Sequence, residues 1–439
     1  MGFVTDSFLD ASRELFEGGA ERHLLYLATV AKGLGAEVTI YQHGPDEWES
    51  TYRGIRVVAR PASQVLPAWE MSRRAAHDGC THLHFQYLNR VPWRTRGLTV
   101  TATSHGVYWD IPYVDRYRNW YPGGLLAAAL LPAWRWRERH RCLRAVGRCE
   151  RVMGTDSSLL RLVQGNRPDL RLRIEVVPNF TDLPESPEAG STDLETHPAL
   201  QPLLAARRRN ATVVLVPRNL SFVRGGAWLP EIVERTVSYS PAGGACHFFL
   251  TGVSVNVSGG GQRYRRLLDQ QLSSVSAEAR ERMHLLGGVP HALMSAAYAA
   301  SDIVLIPTFA YEATSLAGIE AMGAGRPVVA TNVGGLNDLV ADHVSGVLPP
   351  PEPEALAAAV AELAQDSDLR ARLGAEGRRR VRAMYTEEHW RRRAERFGRS
   401  SGWAAAGERA RRPCVSCWPR PGHGSRPSRG RRRVGCTTS

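Results

Sequence analysis

Residues 311–335 read YEATSLAGIEAMGAGRPVVATNVGG. Two acidic residues, Glu312 and Glu320, stand eight positions apart in it. Leu316, Ile319 and Met322 recur at helical spacing, and Thr314 and Ser315 are good N-cap types, so a helix is predicted to start there. Gly323 and Gly325 end it, and Pro327 forbids its continuation. Val328, Val329 and Ala330 then read as a short buried strand. Upstream, residues 302–306 (DIVLI) read as another strand, closed by Pro307. Strand, acidic loop, short helix and strand together are a unit of a parallel α/β sheet.

Such a unit has a place for a ligand. Glu312 falls in the loop at the carboxyl end of a strand, where open α/β sheets bind ligands. If the residues between are helical, Glu320 lies about 12 Å further on, at ~1.5 Å per residue. Carboxylates that far apart cannot share a proton. They can hold two parts of one elongated polyhydroxyl ligand, because each accepts hydrogen bonds from neighbouring hydroxyls. The plainer alternative is a pair of solvated charges at the two ends of a helix.

The stretch resembles the E-x7-E signature of retaining nucleotide-sugar glycosyltransferases of GT-B architecture, specifically glycosyltransferase family 4. EAMGAGRPVVATNVGG carries the likeness, with residues 336–340, Ser345-Gly346-Val347-Leu348, a Pro-rich turn and a helix over 354–364 after it. The likeness covers roughly residues 1–395 and is strongest from 210 onward. It implies an α/β protein of two Rossmann-like, doubly wound domains facing a cleft. The expected division is an acceptor-side domain over 1–183, a linker over 184–209 rich in Pro, Glu, Ser and Arg, and a nucleotide-sugar-binding domain over 210–385. A crossover helix over 386–400 and a tail over 401–439 complete it.

Composition agrees with a globular chain of two or three domains. Of 439 residues, 43% are hydrophobic and 23% charged, ordinary values for a soluble core and surface. The net charge of +13 sits largely in residues 401–439, which hold nine Arg against one Glu. That segment has no apolar periodicity and reads as disordered. Cys414, Cys417, His423 and Cys436 within it lack the regular spacing of a structural zinc site. No other ligand cluster appears, so no metal and no cofactor are expected. Seven scattered Cys without a secretory pattern read as reduced thiols. The longest apolar run, residues 125–131, is too short to span a bilayer. The chain reads as cytoplasmic, with peripheral membrane contact as its only membrane role and no nucleic-acid partner.

In the first half, residues 2–7 read as a short strand, 20–34 as a helix and 37–41 as a strand, a βαβ unit whose helix is opened by Gly18 and Gly19. Glycines at a helix start let backbone amides approach an anion. By resemblance, this loop faces the donor diphosphate across the cleft. Further strands are expected over 55–59, 82–85 and 99–103. His105 then falls at a strand's carboxyl end and, by resemblance, reaches the donor sugar. Residues 107–136 interleave Tyr and Trp with Arg, a mixture that suits sugar stacking, a membrane interface or simple packing. They are the expected acceptor side. Residues 174–182 resemble the family's Pro-Asn-Gly-x-Asp turn, with Phe180 in place of the glycine.

In the second half, a strand over 211–216 is followed by Arg218 and then by Arg224-Gly225-Gly226. Arg grips phosphate bidentately. In the family an Arg and a Lys here bind the donor diphosphate; this chain has Arg224 where Lys is usual, one residue further on. It also reads Glu312-Ala313-Thr314-Ser315-Leu316 where relatives have Glu-Gly-Phe-Gly-Leu. That change adds two hydroxyls to a loop expected to face the sugar.

The resemblance therefore implies an enzyme that moves a sugar, with retention, from a nucleotide diphosphate sugar to an acceptor hydroxyl on a small molecule, glycan or glycolipid. Arg218, Glu312 and His105 would be its catalytic residues, and Glu320, Arg224, Gly18, Gly19, Thr314, Ser315 and Leu316 its donor contacts. Two rivals remain: a sugar-nucleotide epimerase of the same architecture, and a binding module that has lost its chemistry.

Overall fold

The computed structural model describes residues 1–16, 19–61, 67–95, 97–107, 124–182, 197–218, 224–239, 245–252, 269–270 and 272–404. Gly18, the aromatic-rich residues 108–123, the first half of the expected linker and residues 405–439 lie outside them.

Two sheets organise the chain. The first has β1 (Gly2–Val4), β2 (Thr39–Gly44), β3 (Trp48–Tyr52), β4 (Ile55–Pro61), β5 (His82–Phe85), β6 (Thr99–Ser104), β7 (Arg151–Gly154) and β8 (Ile174–Val176). Their order is β3-β4-β2-β1-β5-β6-β7-β8. Every neighbouring pair is parallel except β3 with β4. That hairpin is absent from the sequence reading. Its signal was local: Arg53 (φ 48°) and Gly54 (φ 70°) supply the two positive-φ residues of a tight hairpin turn.

The second sheet has β9 (Thr212–Val216), β10 (Cys246–Leu250), β11 (Met283–Leu285), β12 (Ile303–Ile306) and β13 (Val328–Ala330). It is parallel throughout, in the order β11-β10-β9-β12-β13. The strand order reverses between β9 and β12, so a ligand crevice belongs outside their carboxyl ends. β9 and β12 are almost wholly buried and read as unbroken apolar runs, as a strand covered on both faces must.

Two expectations need correction. Residues 198–208, placed in the linker, form a 3-10 turn (Pro198–Leu200) and a helix (Gln201–Arg208). Leu200 and Leu203 are buried in the second sheet's core, which holds these elements in place. Residues 401–404, placed in the disordered tail, are ordered. The Glu387–Ser400 helix buries Trp390, Ala394 and Phe397 in the first domain's core, and Trp403 joins them fully buried. Its ring lies 5.8 Å from Phe3, 5.5 Å from His84 and 5.6 Å from Phe397. Among the described residues no helix is long and apolar enough to cross a membrane.

Candidate active site

The chain leaves β9 through Pro217 and places Arg218 at the sheet's carboxyl end, 6% exposed. Both guanidinium ends donate to Glu312, Nη1 to Oε1 at 2.7 Å and Nη2 to Oε2 at 2.6 Å. Nη1 also donates to Ser315 Oγ at 3.1 Å. Glu312 comes from the loop after β12, and backbone fit fixes it there. The Gly335 N–H donates to the Glu312 carbonyl at 2.6 Å, and a Cβ on Gly334 (φ 53°) would lie 2.2 Å from that oxygen. The glycine pair that closes residues 311–335 is thus what lets the acidic loop pack. Burial pushes the Glu312 carboxyl up, but the Arg218 charge and hydrogen bonds, with Arg224 and Ser315, outweigh it and hold the group below its ordinary range.

Arg224 comes to the same place because Gly225 (φ 80°) lies against Pro307, where a Cβ would meet the carbonyl oxygen at 1.9 Å. The Arg218 charge, then lost hydration, lowers the Arg224 pKa, with Glu312 acting the other way. Among the described residues Arg224 makes no ion pair. The one carboxylate is bonded to Arg218, and Arg224 beside it is left uncompensated, so this end of the site is cationic.

Ser315 caps the Leu316–Gly323 helix by accepting from the Gly318 N–H at 3.4 Å. The Thr314 hydroxyl donates across the crevice to the Thr155 carbonyl. The two hydroxyls that depart from the family pattern thus have separate tasks, one holding the arginine and one joining the domains. Glu320 lies one helix length away. It accepts from the buried Tyr298 hydroxyl at 2.8 Å, while burial pushes its carboxyl above the ordinary range. With Leu316 it faces Gly19, Arg22, Tyr26 and Asp182 of the first domain. The Arg22 guanidinium touches His291 Nε2, which lies 3.9 Å from Glu320.

The first domain supplies a neutral wall. Burial pushes His105 down to about 4. The Gln86 amide lies 2.9 Å from its Nε2 and also donates to the Ala20 carbonyl at 2.8 Å. His23 packs edge-on against His105 at 5.3 Å. Next to His105, Gly106 (φ 112°) has the Tyr311 ring where a Cβ would sit, 1.7 Å away. Tyr311 then donates to the Asp156 carboxylate. Asn179 donates to the Thr314 carbonyl at 3.0 Å, and the Ser157 N–H to Asp338 at 2.7 Å. The domains are thus drawn together around the acidic loop. Phe180, where relatives carry glycine, packs against Tyr26 and Trp390 at 4.8 and 5.1 Å and fixes the turn by burial.

The structure therefore brings Arg218, Arg224, Glu312, Thr314 and Ser315 together. Gly19, His105, Leu316 and Glu320 stand around the same crevice. The described part of the aromatic-rich segment lies on the Gly124–Arg148 helix, where Trp134 is partly buried and Trp136 is 62% exposed. The sequence reading missed Arg22, Tyr298, His291 and Tyr311. Only Tyr311 carried a signal, as the neighbour of Glu312.

Fold and site define the class: the chain has the two-domain GT-B fold of glycosyltransferases. Residues 227–366 match the family described as Glycosyl transferases group 1. A D-inositol 3-phosphate glycosyltransferase from Corynebacterium glutamicum is 39% identical over 95 residues, covering 21% of this chain and 22% of that protein. One of the same description from Xylanimonas cellulosilytica is 25% identical over 403 residues, covering 84% and 89%. Among solved structures, Anabaena Alr3699/HepE in complex with UDP-glucose aligns with a TM-score of 0.66 at 18% identity, over 91% of this chain and 99% of that one.

Proposed function

We propose that the protein is a retaining glycosyltransferase of family 4 type, moving a sugar from a nucleotide diphosphate sugar to an acceptor hydroxyl. The observation that carries this is the cationic end of the site, where Arg218, paired with Glu312, and Arg224, unpaired among the described residues, stand together at the carboxyl ends of β9 and β12. A diphosphate is the ligand that such a pair suits.

Glu312 is paired with Arg218. An arriving diphosphate takes over the guanidinium and frees the carboxylate for the hydroxyls of the transferred sugar. Arg218 and Arg224 then stabilise the charge that builds on the leaving phosphate oxygen, the term a preorganised site supplies best. Glu320 accepts from the ribose hydroxyls. His105 and Gly19 close the pocket from the opposite domain, and closure excludes water. The loop at Thr314, Ser315 and Leu316 faces the sugar. Retention follows if the acceptor enters on the face the leaving group departs from. Its proton then passes to the donor phosphate, and no separate base is required.

The test is titration calorimetry with UDP, GDP and ADP sugars, UDP-glucose first, since a UDP-glucose complex is known for the structurally similar Anabaena protein. Mass analysis of products with candidate acceptors follows. Binding of one such donor, followed by sugar transfer, is the expected result. A protein that binds no nucleotide sugar overturns the reading. One that releases only an altered sugar nucleotide is an epimerase.

A further inference from the structure

One residue of the second domain has its seat in the first. Tyr311 stands in the loop after β12, directly before Glu312, and its ring packs against the first domain's core. The seat is a notch at the carboxyl ends of the paired strands β6 and β7. Gly106, directly after His105, forms one side of it: the ring fills the space that a Cβ there would need. Asp156, two residues past β7 and 2% exposed, forms the other. Its Oδ1 accepts from the Ser158 N–H at 2.7 Å, and its Oδ2 accepts from the Tyr311 hydroxyl.

The seat lies in register with both proposed reactive groups. Tyr311 and Glu312 are neighbours in one segment, and Gly106 and His105 are neighbours in another. A seated ring therefore ties the acidic loop to the His105 segment across the crevice. The contacts of Thr314 reach residues 155 and 179 instead. Glu312 also needs a second restraint. The Arg218 pair that holds its carboxylate is the one that an arriving diphosphate displaces. Its backbone must then keep it in place, through the Gly335 N–H on the Glu312 carbonyl at 2.6 Å and through the seated neighbour, Tyr311.

We propose that Tyr311 is a positioning residue and that Gly106 and Asp156 are its socket: seating the ring sets Glu312 against His105, so that transfer waits for the domains to meet. This rests on the transferase reading for what is positioned, but not for the seat itself. A donor held by the second domain alone then meets an incompletely assembled site, and its sugar is spared transfer to water.

The test is steady-state kinetics of Tyr311→Ala and Tyr311→Phe, with turnover read as the diphosphate released from UDP-, GDP- or ADP-glucose, beside calorimetry with the free diphosphate. Tyr311→Ala empties the seat. Its kcat should fall about 10²-fold, the cost of a misplaced reacting group, with affinity for the diphosphate unchanged. Tyr311→Phe keeps the ring in the notch and loses only the hydrogen bond to Asp156, so its kcat should lie within about tenfold of the parent's. Thermal unfolding checks that both variants fold. Independently of activity, Tyr311→Ala should speed amide hydrogen exchange at residues 104–107 and 155–158 and leave β9 and β10 unaltered. A Tyr311→Ala kcat near the parent's, a loss of affinity in place of kcat, or a Phe variant as slow as the Ala variant overturns the proposal. The last outcome would make the hydroxyl itself the working group. A parent that neither binds nor cleaves any of these donors sinks the transferase reading, and exchange alone then decides the seat: faster exchange upholds it and unchanged exchange overturns it.

Discussion

The two walls of the crevice are built on opposite electrostatic terms. The second domain presents charge: Arg218 and Arg224 at one end and Glu320 at the other, with Glu312 paired to Arg218. Around His105 the first domain presents neutral groups, while its charged pair, Arg22 and Asp182, faces the Glu320 end. His23, His84 and His105 are all held in the uncharged form by burial, with Gln86 and two glycines beside them. A charged His105 would bring a third cation towards Arg218 and Arg224 when the domains meet. An uncharged imidazole closes over an anion and still offers a hydrogen bond. One wall can therefore hold a charged ligand alone, while the other adds shape without adding repulsion.

The most severe way to break that division is Arg218→Ala. Turnover should fall by about 10²–10³-fold, the scale of a lost charge stabiliser. The Glu312 carboxylate would also be stranded without its partner, at a cost of about 3–5 kcal/mol. Adding Glu312→Gln should restore much of the stability and none of the turnover. Denaturant unfolding and initial rates on the two variants separate these effects, and near-normal turnover by Arg218→Ala would remove the charged wall from the mechanism. Next comes Trp403→Ala, which empties a fully buried site in the first domain's core and should cost about 3–5 kcal/mol. Trp403 packs against His84 behind the first wall and meets none of the proposed donor contacts, so nucleotide binding at a permissive temperature should survive. A stability loss below about 1 kcal/mol would show the core to be complete without the chain's last described turn. A milder change is Glu320→Gln, which keeps the shape and the Tyr298 partner but removes the charge. UDP affinity should fall about tenfold, as expected for a hydrogen bond to a charged acceptor. Unchanged affinity would move the ribose elsewhere.

The walls also differ in how far the sequence disclosed them. The acidic loop is legible because its determinants are local: Ser315 caps its own helix, and Gly334 and Gly335 sit within the motif they support. Arg218 and Arg224 could be assigned because they flank one turn. The first domain depends on pairings that leave no trace in a window of residues. Arg22 meets His291 across 269 positions, and Asn179 meets the Thr314 carbonyl across 135. Trp403 stands in a stretch without periodicity, next to a run of arginines, so composition argued for disorder where burial decides for order. The β3–β4 hairpin was missed for another reason: its arginine-glycine turn is a weaker signal than an asparagine-glycine one.

The gentlest test is acidity. His84 is fully buried, its Nδ1 3.0 Å from the Thr101 hydroxyl and its Nε2 2.9 Å from that of Thr103. Burial, with His105 nearby, lowers its pKa from 6.5 to about 3. The unfolded chain therefore takes up the proton first as pH falls. Stability is fully present above about 6.5 and declines towards 3, by at most about 1.4 kcal/mol per pH unit for each such histidine. His105 adds to the decline down to about 4, and His23 shifts in the same sense. His247 and His284 in the second sheet are also lowered, but they are only partly buried. Glu312, held below its ordinary 4.5, begins to lose its contribution only under that value. Glu320, raised above 4.5 by burial, acts with the opposite sign in that interval, so between pH 6.5 and 4.5 acid should weaken the neutral wall and not the charged one. His84→Asn keeps a polar partner for Thr101 and removes one titrating ring. The variant will be less stable at every pH, so the slope is what counts. Its melting temperature should fall less steeply than the parent's over that interval, and an identical slope would mean that the first wall owes nothing to uncharged His84.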